Sequence, residues 1–321
     1  MTPAFSPNAS RPVHQLSAEL LESTFSYLSQ PINDMVTAQV CQYWRDVTLN
    51  SPRLWTQIHM DGWLTEGGLR LVRAALARSQ PHPVRIRSAS RRSGQSEEAL
   101  RLWEDILAQA SRFEEADLVL PFAVATKLTE VHAPELRKLR LGVQGKENRS
   151  SPAHQVYICA EDDVAGEDEE NEDIIGPEFP LEAPQLTVAT LVGAVRPLQI
   201  TLPYAQLTDL KLLLEDYDDS LRDIVDVIQP CQSLVHLTLC MAECCGLDAE
   251  PLTLPALQTL DVNDKGTALC RYLTAPSLHE VVFRIEHCVL EDDMRYVNWE
   301  LNALLRLALR CGSTITSLTL R

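Results

Sequence analysis

Apolar positions along the chain follow two periods. Near the start, Leu20, Leu21, Phe25 and Leu28 recur at helical spacing and form one stripe. Ser17 precedes them with a hydroxyl that can accept from an orphan N–H of the first turn. Glu19 sits where the positive end of the helix dipole favours an acid. Pro31 stops this helix, and Asn33 or Asp34 can start the next. Val36, Val40, Trp44 and Val47 are then spaced to share one face. Ser51-Pro52 ends that piece, and Leu54 and Trp55 follow.

From residue 64 the pattern changes. Leu69, Val72 and Leu76 predict a helix face, and Pro83-Val84-Arg85-Ile86 a short strand. A polar loop from Ser88 to Ser96 leads to a second helix face, Leu100, Trp103, Leu107 and Ala110. A second strand follows from Phe113 to Leu120.

A leucine signature then recurs. Leu136, Leu139 and Leu141 follow Pro134; Leu186, Ala189 and Leu191 follow Pro184. The copies continue at Leu207, Leu210, Leu212; Leu234, Leu237, Leu239; Leu257, Leu260, Val262; Leu278, Val281, Phe283; and Ile315, Leu318, Leu320. Counting Phe113, Ala116 and Leu118 as the first copy, the steps between starts are 23, 50, 21, 27, 23, 21 and 37 residues. Most fall near the ~20–29 residues of a leucine-rich repeat. The last two apolar residues of each copy alternate along a strand and point into one core. A proline just before several strands suits an entry position where no ladder donor is lost. Leu221, Ile224, Val225 and Ile228 predict a helix before the Leu234 strand. Val297, Leu301, Leu304, Leu305 and Ala308 predict a longer one before the last strand. A conventional α/β domain with leucine-rich parallel strands is the competing reading of the same residues.

The N-terminal segment resembles an F-box on Leu16-Ser17-Ala18-Glu19-Leu20-Leu21, Phe25-Ser26-Tyr27-Leu28, Val40-Cys41-Gln42-Tyr43-Trp44 and Leu54-Trp55. The match covers roughly 45 residues, a unit small enough to need a partner for its apolar faces. The resemblance implies docking on the adaptor of a cullin-type ubiquitin ligase. Leu16, Leu20, Leu21, Phe25, Leu28, Val40, Cys41 and Trp44 are the implied adaptor-binding residues, with Leu16, Leu20, Phe25 and Trp44 as hot spots. Ser17 stands where the family usually has proline, and Thr24 where it usually has isoleucine. An N-terminal helical cap on a larger domain is the alternative for these residues. The later copies resemble the divergent leucine-rich tails of F-box proteins, without the asparagine or cysteine that regular repeats place after the strand.

Charge is unevenly spread. The net charge is -17, yet the first 112 residues carry 12 Lys/Arg against 10 Asp/Glu. Nine acids lie between Glu161 and Asp173, which predicts a disordered insertion near 160–178. An acidic body argues against binding nucleic acid through its phosphates. No run approaches the ~18 apolar residues of a membrane span, and the first residues do not resemble a signal peptide. Nine cysteines in an intracellular chain are most simply free thiols. Cys231, Cys240, Cys244 and Cys245 lack the paired spacing of a zinc site. No nucleophile elbow, zinc-protease or phosphate-loop motif is present.

The expected architecture is therefore an α/β solenoid: a small all-α N-terminal F-box followed by a curved, irregular leucine-rich repeat domain. A disordered lead spans 1–12, the F-box-like unit 13–60 and the repeats 64–321. The expected function is a non-catalytic substrate receptor, cytoplasmic or nuclear, without cofactor or metal. Its partners are the cullin adaptor and a target protein held by the repeats. A binding scaffold outside any ligase is the alternative, and a hydrolase the third reading. The final strand lacks a polar cap, so either the chain is truncated or something covers its edge.

Overall fold

The computed structural model describes residues 16–28, 36–60, 65–88, 96–125, 127–128, 131–144, 179–193, 200–214, 221–242, 249–284, 294–311 and 315–320. The lead over 1–12, Pro31, Asn33, Asp34, the acidic run, Cys244 and Cys245 lie outside them.

Three helices open the described chain: α1 (Ala18–Leu28), α2 (Val36–Val40) and α3 (Gln42–Asn50). A 3-10 turn at Pro52–Trp55 leads into β1 (Gln57–Met60), followed by α4 (Glu66–Arg78), β2 (Val84–Ser88), α5 (Glu97–Leu107), β3 (Phe113–Pro121), α6 (Phe122–Ala125) and β4 (Lys138–Gln144). Next come β5 (Phe179–Pro180), β6 (Val188–Gly193), β7 (Ile200–Thr201), β8 (Asp209–Leu214), α7 (Leu221–Ile228), β9 (His236–Met241), β10 (Leu252–Thr253) and β11 (Thr259–Asn263). The last elements are β12 (Leu273–Thr274), β13 (Glu280–Arg284), α8 (Met294–Cys311) and β14 (Ser317–Leu320).

Ten of these strands form one sheet in the order β1-β2-β3-β4-β6-β8-β9-β11-β13-β14. This overturns the expected architecture of an all-α domain followed by a curved solenoid. The protein has an α/β fold dominated by a large parallel sheet. The correction has a local cause. The chain leaves the Trp55 turn directly into β1, which pairs in parallel with β2 through Gln57 opposite Arg85 and His59 opposite Arg87. The tail of the expected helical module is thus a strand of the sheet.

Two compact units divide the chain. One comprises Met1–Val119, Val131–Arg140 and Ala183–Leu186, and the other Leu120–Glu130, Leu141–Glu182 and Thr187–Arg321. In the first, α4 buries Leu69, Val72 and Leu76 as their spacing predicts. The buried stripe of α5 is Ala99, Leu102, Trp103 and Ile106. It is rotated from the predicted face, because Leu100 and Leu107 are only half-buried. Arg112 fastens this unit: its guanidinium donates to the carbonyls of Leu76 and His82 and to Ser79 Oγ at 2.7–3.2 Å.

In the second unit the leucine copies become in-register parallel strands. Ala189 lies opposite Leu210, Leu210 opposite Leu237, Leu237 opposite Leu260, and Leu260 opposite Val281. All five are buried, each large one contributing ~1.5–3 kcal/mol. The helix α7 buries Leu221, Ile224, Val225 and Ile228 as predicted.

The prolines act one step earlier than expected. Leu136, Leu186, Leu257 and Leu278 each donate their N–H to the carbonyl three residues back, on Ala133, Ala183, Leu254 and Ala275. Pro134, Pro184, Pro255 and Pro276 thereby occupy the second position of a tight turn, which their fixed φ favours.

A buried asparagine, absent from the sequence reading, closes β11. Asn263 is 1 % exposed. Its amide donates to the Met241 carbonyl at 2.7 Å, and its Oδ1 accepts from the N–H groups of Met241 and Gly266.

Candidate docking surface

The N-terminal helices pack around a minimal core. Leu21, Phe25 and Val47 are buried, with Tyr43, Trp44 and Leu54 packed against them. The Phe25 and Trp44 rings meet at 4.9 Å between centroids, tilted by 59°. The Trp55 indole N–H donates to the Thr48 carbonyl at 2.8 Å. The Arg78 guanidinium lies 4.7 Å over the Trp55 ring, tying α4 to the turn after α3 through a cation–π contact.

Local hydrogen bonds account for Ser17 and Thr24, the two residues that depart from the expected pattern. Ser17 Oγ accepts from the Leu20 N–H at 3.4 Å, so the residue in the usual proline position begins α1 by capping it. Hydrogen bonds from the Glu19 backbone amide and from Ser17 hold the Glu19 carboxyl below its ordinary value. Thr24 is exposed, and its hydroxyl donates to the Leu20 carbonyl at 2.8 Å. That hydroxyl therefore sits on solvent-facing backbone and leaves the core intact.

The predicted continuous face from Val36 to Val47 is broken. Cys41 is extended and caps α3, its Sγ accepting from the Trp44 N–H at 3.5 Å. The break turns Val36 and Val40 outward, at 62 % and 58 % exposed, while Val47 enters the core. The helix α2 is held instead through Ala38, whose carbonyl accepts from Arg45 Nε at 2.9 Å.

The eight implied adaptor-binding residues are divided between surface and core. Leu16, Leu20 and Val40 are exposed, and Cys41 and Trp44 are half-buried. Leu21 and Phe25 are core residues at 1 % exposure. Leu28 ends α1, and its side chain lies outside the described residues. The fold adds Tyr27 and Val36 to the exposed apolar set. Val36 belonged to a predicted stripe; Tyr27 lies off the apolar stripe of α1, and nothing in its spacing singled it out. Five large apolar side chains are thus exposed between residues 16 and 40 among the described residues.

Other candidate chemistry disperses. Cys231, Cys240, Cys270 and Cys311 are buried in the second unit, and burial pushes the Cys231 and Cys270 thiols up to about 12. His236 and His279 stand exposed. Among the described residues, no group of three or more His, Cys, Asp or Glu is placed to hold a metal ion. No described helix is long and apolar enough to cross a membrane. The chain matches no protein-family model and no curated protein.

Proposed function

We propose that the protein is a substrate receptor of a cullin-type ubiquitin ligase. Its N-terminal helices dock on the cullin adaptor, and its sheet-bearing remainder holds a target protein. One observation carries the reading: Leu16, Leu20, Tyr27, Val36 and Val40 are exposed beside a small core of Leu21, Phe25 and Val47 with Tyr43, Trp44 and Leu54 packed against it. Exposed apolar side chains on so small a helical unit are surface that a partner can bury. The receptor performs no covalent step; it raises the effective concentration of the target beside the conjugating machinery.

The test is co-elution of the purified chain with the cullin adaptor on a sizing column. A Leu20→Asp, Val40→Asp double variant changes exposed positions alone, so its circular dichroism matches the wild type. It loses co-elution, with each central apolar anchor contributing about 2 kcal/mol, or roughly 30-fold in affinity. A folded wild type that elutes alone overturns the reading and leaves a binding scaffold outside any ligase.

A further inference from the structure

We propose that the outward strand face of the first unit binds an extended acidic segment of a partner protein. Two rows of side chains cross this face. In one, Gln57 lies opposite Arg85 and Arg85 opposite Glu115, which pairs with Lys138 at 3.1 Å. In the other, His59 lies opposite Arg87 and Arg87 opposite Asp117, which pairs with Arg140 at 3.5 Å. The intervening residues Ile58, Ile86, Ala116 and Leu139 are buried on the opposite side.

The cations stand forward of the acids. Arg85, Arg87, Lys138 and Arg140 are 46–58 % exposed, while Glu114, Glu115 and Asp117 are 26–35 % exposed. Asp117 is shared by two guanidiniums, each at 3.5 Å. Charge-assisted pairs normally close to ~2.7–2.9 Å, and a guanidinium carries five N–H donors. One carboxylate at that distance satisfies few of the donors of Arg87 and Arg140, whose side chains are 54 % and 46 % exposed. Among the described residues of this face four cations meet three acids, in a chain of net charge -17.

Spacing sets the ligand. Arg85 and Arg87, like Lys138 and Arg140, are two residues apart on one strand, a separation of ~6.6–6.8 Å. An extended peptide repeats its own alternate side chains at the same distance. The matching partner is therefore a segment with Asp or Glu at alternate positions. The inference supplies a target chemistry to the receptor reading and rests on that reading only for its biological purpose; the contact itself is independent of the adaptor.

The probe is a fluorescent peptide of alternating Glu and Ser, measured by anisotropy with the full chain and no adaptor present. Controls are an alternating Gln and Ser peptide and a peptide with the same Glu residues in one block. Tight, salt-sensitive binding of the alternating acidic peptide alone is expected. Arg87→Gln with Arg140→Gln weakens it at least tenfold. Arg70→Gln with Arg101→Gln removes the same charge from the outer helices and leaves binding within twofold. Equal loss in both double variants, equal binding of the block peptide, or no binding of the alternating peptide overturns the proposal. If the Gln variant misfolds, Arg87→Lys with Arg140→Lys keeps the charge and removes the forked donors, and severalfold weakening is then required. Loss of adaptor co-elution with peptide binding retained sinks the receptor reading alone.

Discussion

Asn263 shows what a single polar side chain does in this sheet. It satisfies both backbone groups of Met241 and the N–H of Gly266. Asn263→Leu leaves those groups buried without partners, a loss of about 1–3 kcal/mol. The midpoint of urea unfolding falls accordingly, with the slope unchanged. Gly266 is tied to the same contact: a Cβ there meets the Leu239 carbonyl oxygen at 2.8 Å. Gly266→Ala therefore destabilises as well, and the double variant costs less than the two singles added, because both disturb one contact. The buried thiols give a pH prediction. Burial raises Cys231 and Cys270 to about 12 in the fold, above an ordinary thiol value of ~8.5. Below that ordinary value both states hold their protons and the thiols add no pH dependence. Above it the unfolded chain loses protons first, so stability falls as pH rises toward 12. Thermal melts across pH 8–11 check this, with a shallower decline in Cys231→Ser.

At the scale of elements, side-chain caps mark where α1 and α3 begin. Ser17→Ala removes the acceptor for the Leu20 N–H and costs about 1 kcal/mol, seen as an earlier first transition on heating. Arg112 joins the end of α4 to the turn before β2 through Leu76, Ser79 and His82. Arg112→Met strands those acceptors and lowers stability by about 1.5–3 kcal/mol, measurable by chemical unfolding. The buried helix faces at Leu69–Leu76 and Leu221–Ile228, and the strand positions from Phe113 to Phe283, were legible because burial leaves a period in the sequence. The breaks were not. Cys41 divides a run whose spacing is perfect for one helix, since an extended backbone at one residue rotates everything beyond it. In the candidate surface, Leu16, Leu20 and Val40 were legible as apolar and proved exposed. Leu21 and Phe25 carried the same signal and proved to be core.

Across the whole molecule, two places hold exposed large apolar groups among the described residues. One is the N-terminal helical segment. The other is the last part of the chain, where Leu305 and Leu309 on α8 and Leu318 and Leu320 on β14 are 58–82 % exposed. Leu318 and Leu320 lie opposite Val281 and Phe283 and continue the leucine ladder in register, yet they remain uncovered. Burial there is a property of what stacks above a strand, and the strand's own residues cannot supply it. The same distinction runs through the protein. The sequence by itself determined where the strands of the large sheet after β1 fall, and the inward leucines of every copy but the last, because each follows from local alternation and a repeated turn. Only the tertiary structure decided that Gln57–Met60 joins the sheet, that the architecture is one broad parallel sheet, and which apolar residues of the N-terminal helices face solvent. Those outcomes depend on pairing and packing between residues distant in the chain, and a periodic pattern carries no record of its partner.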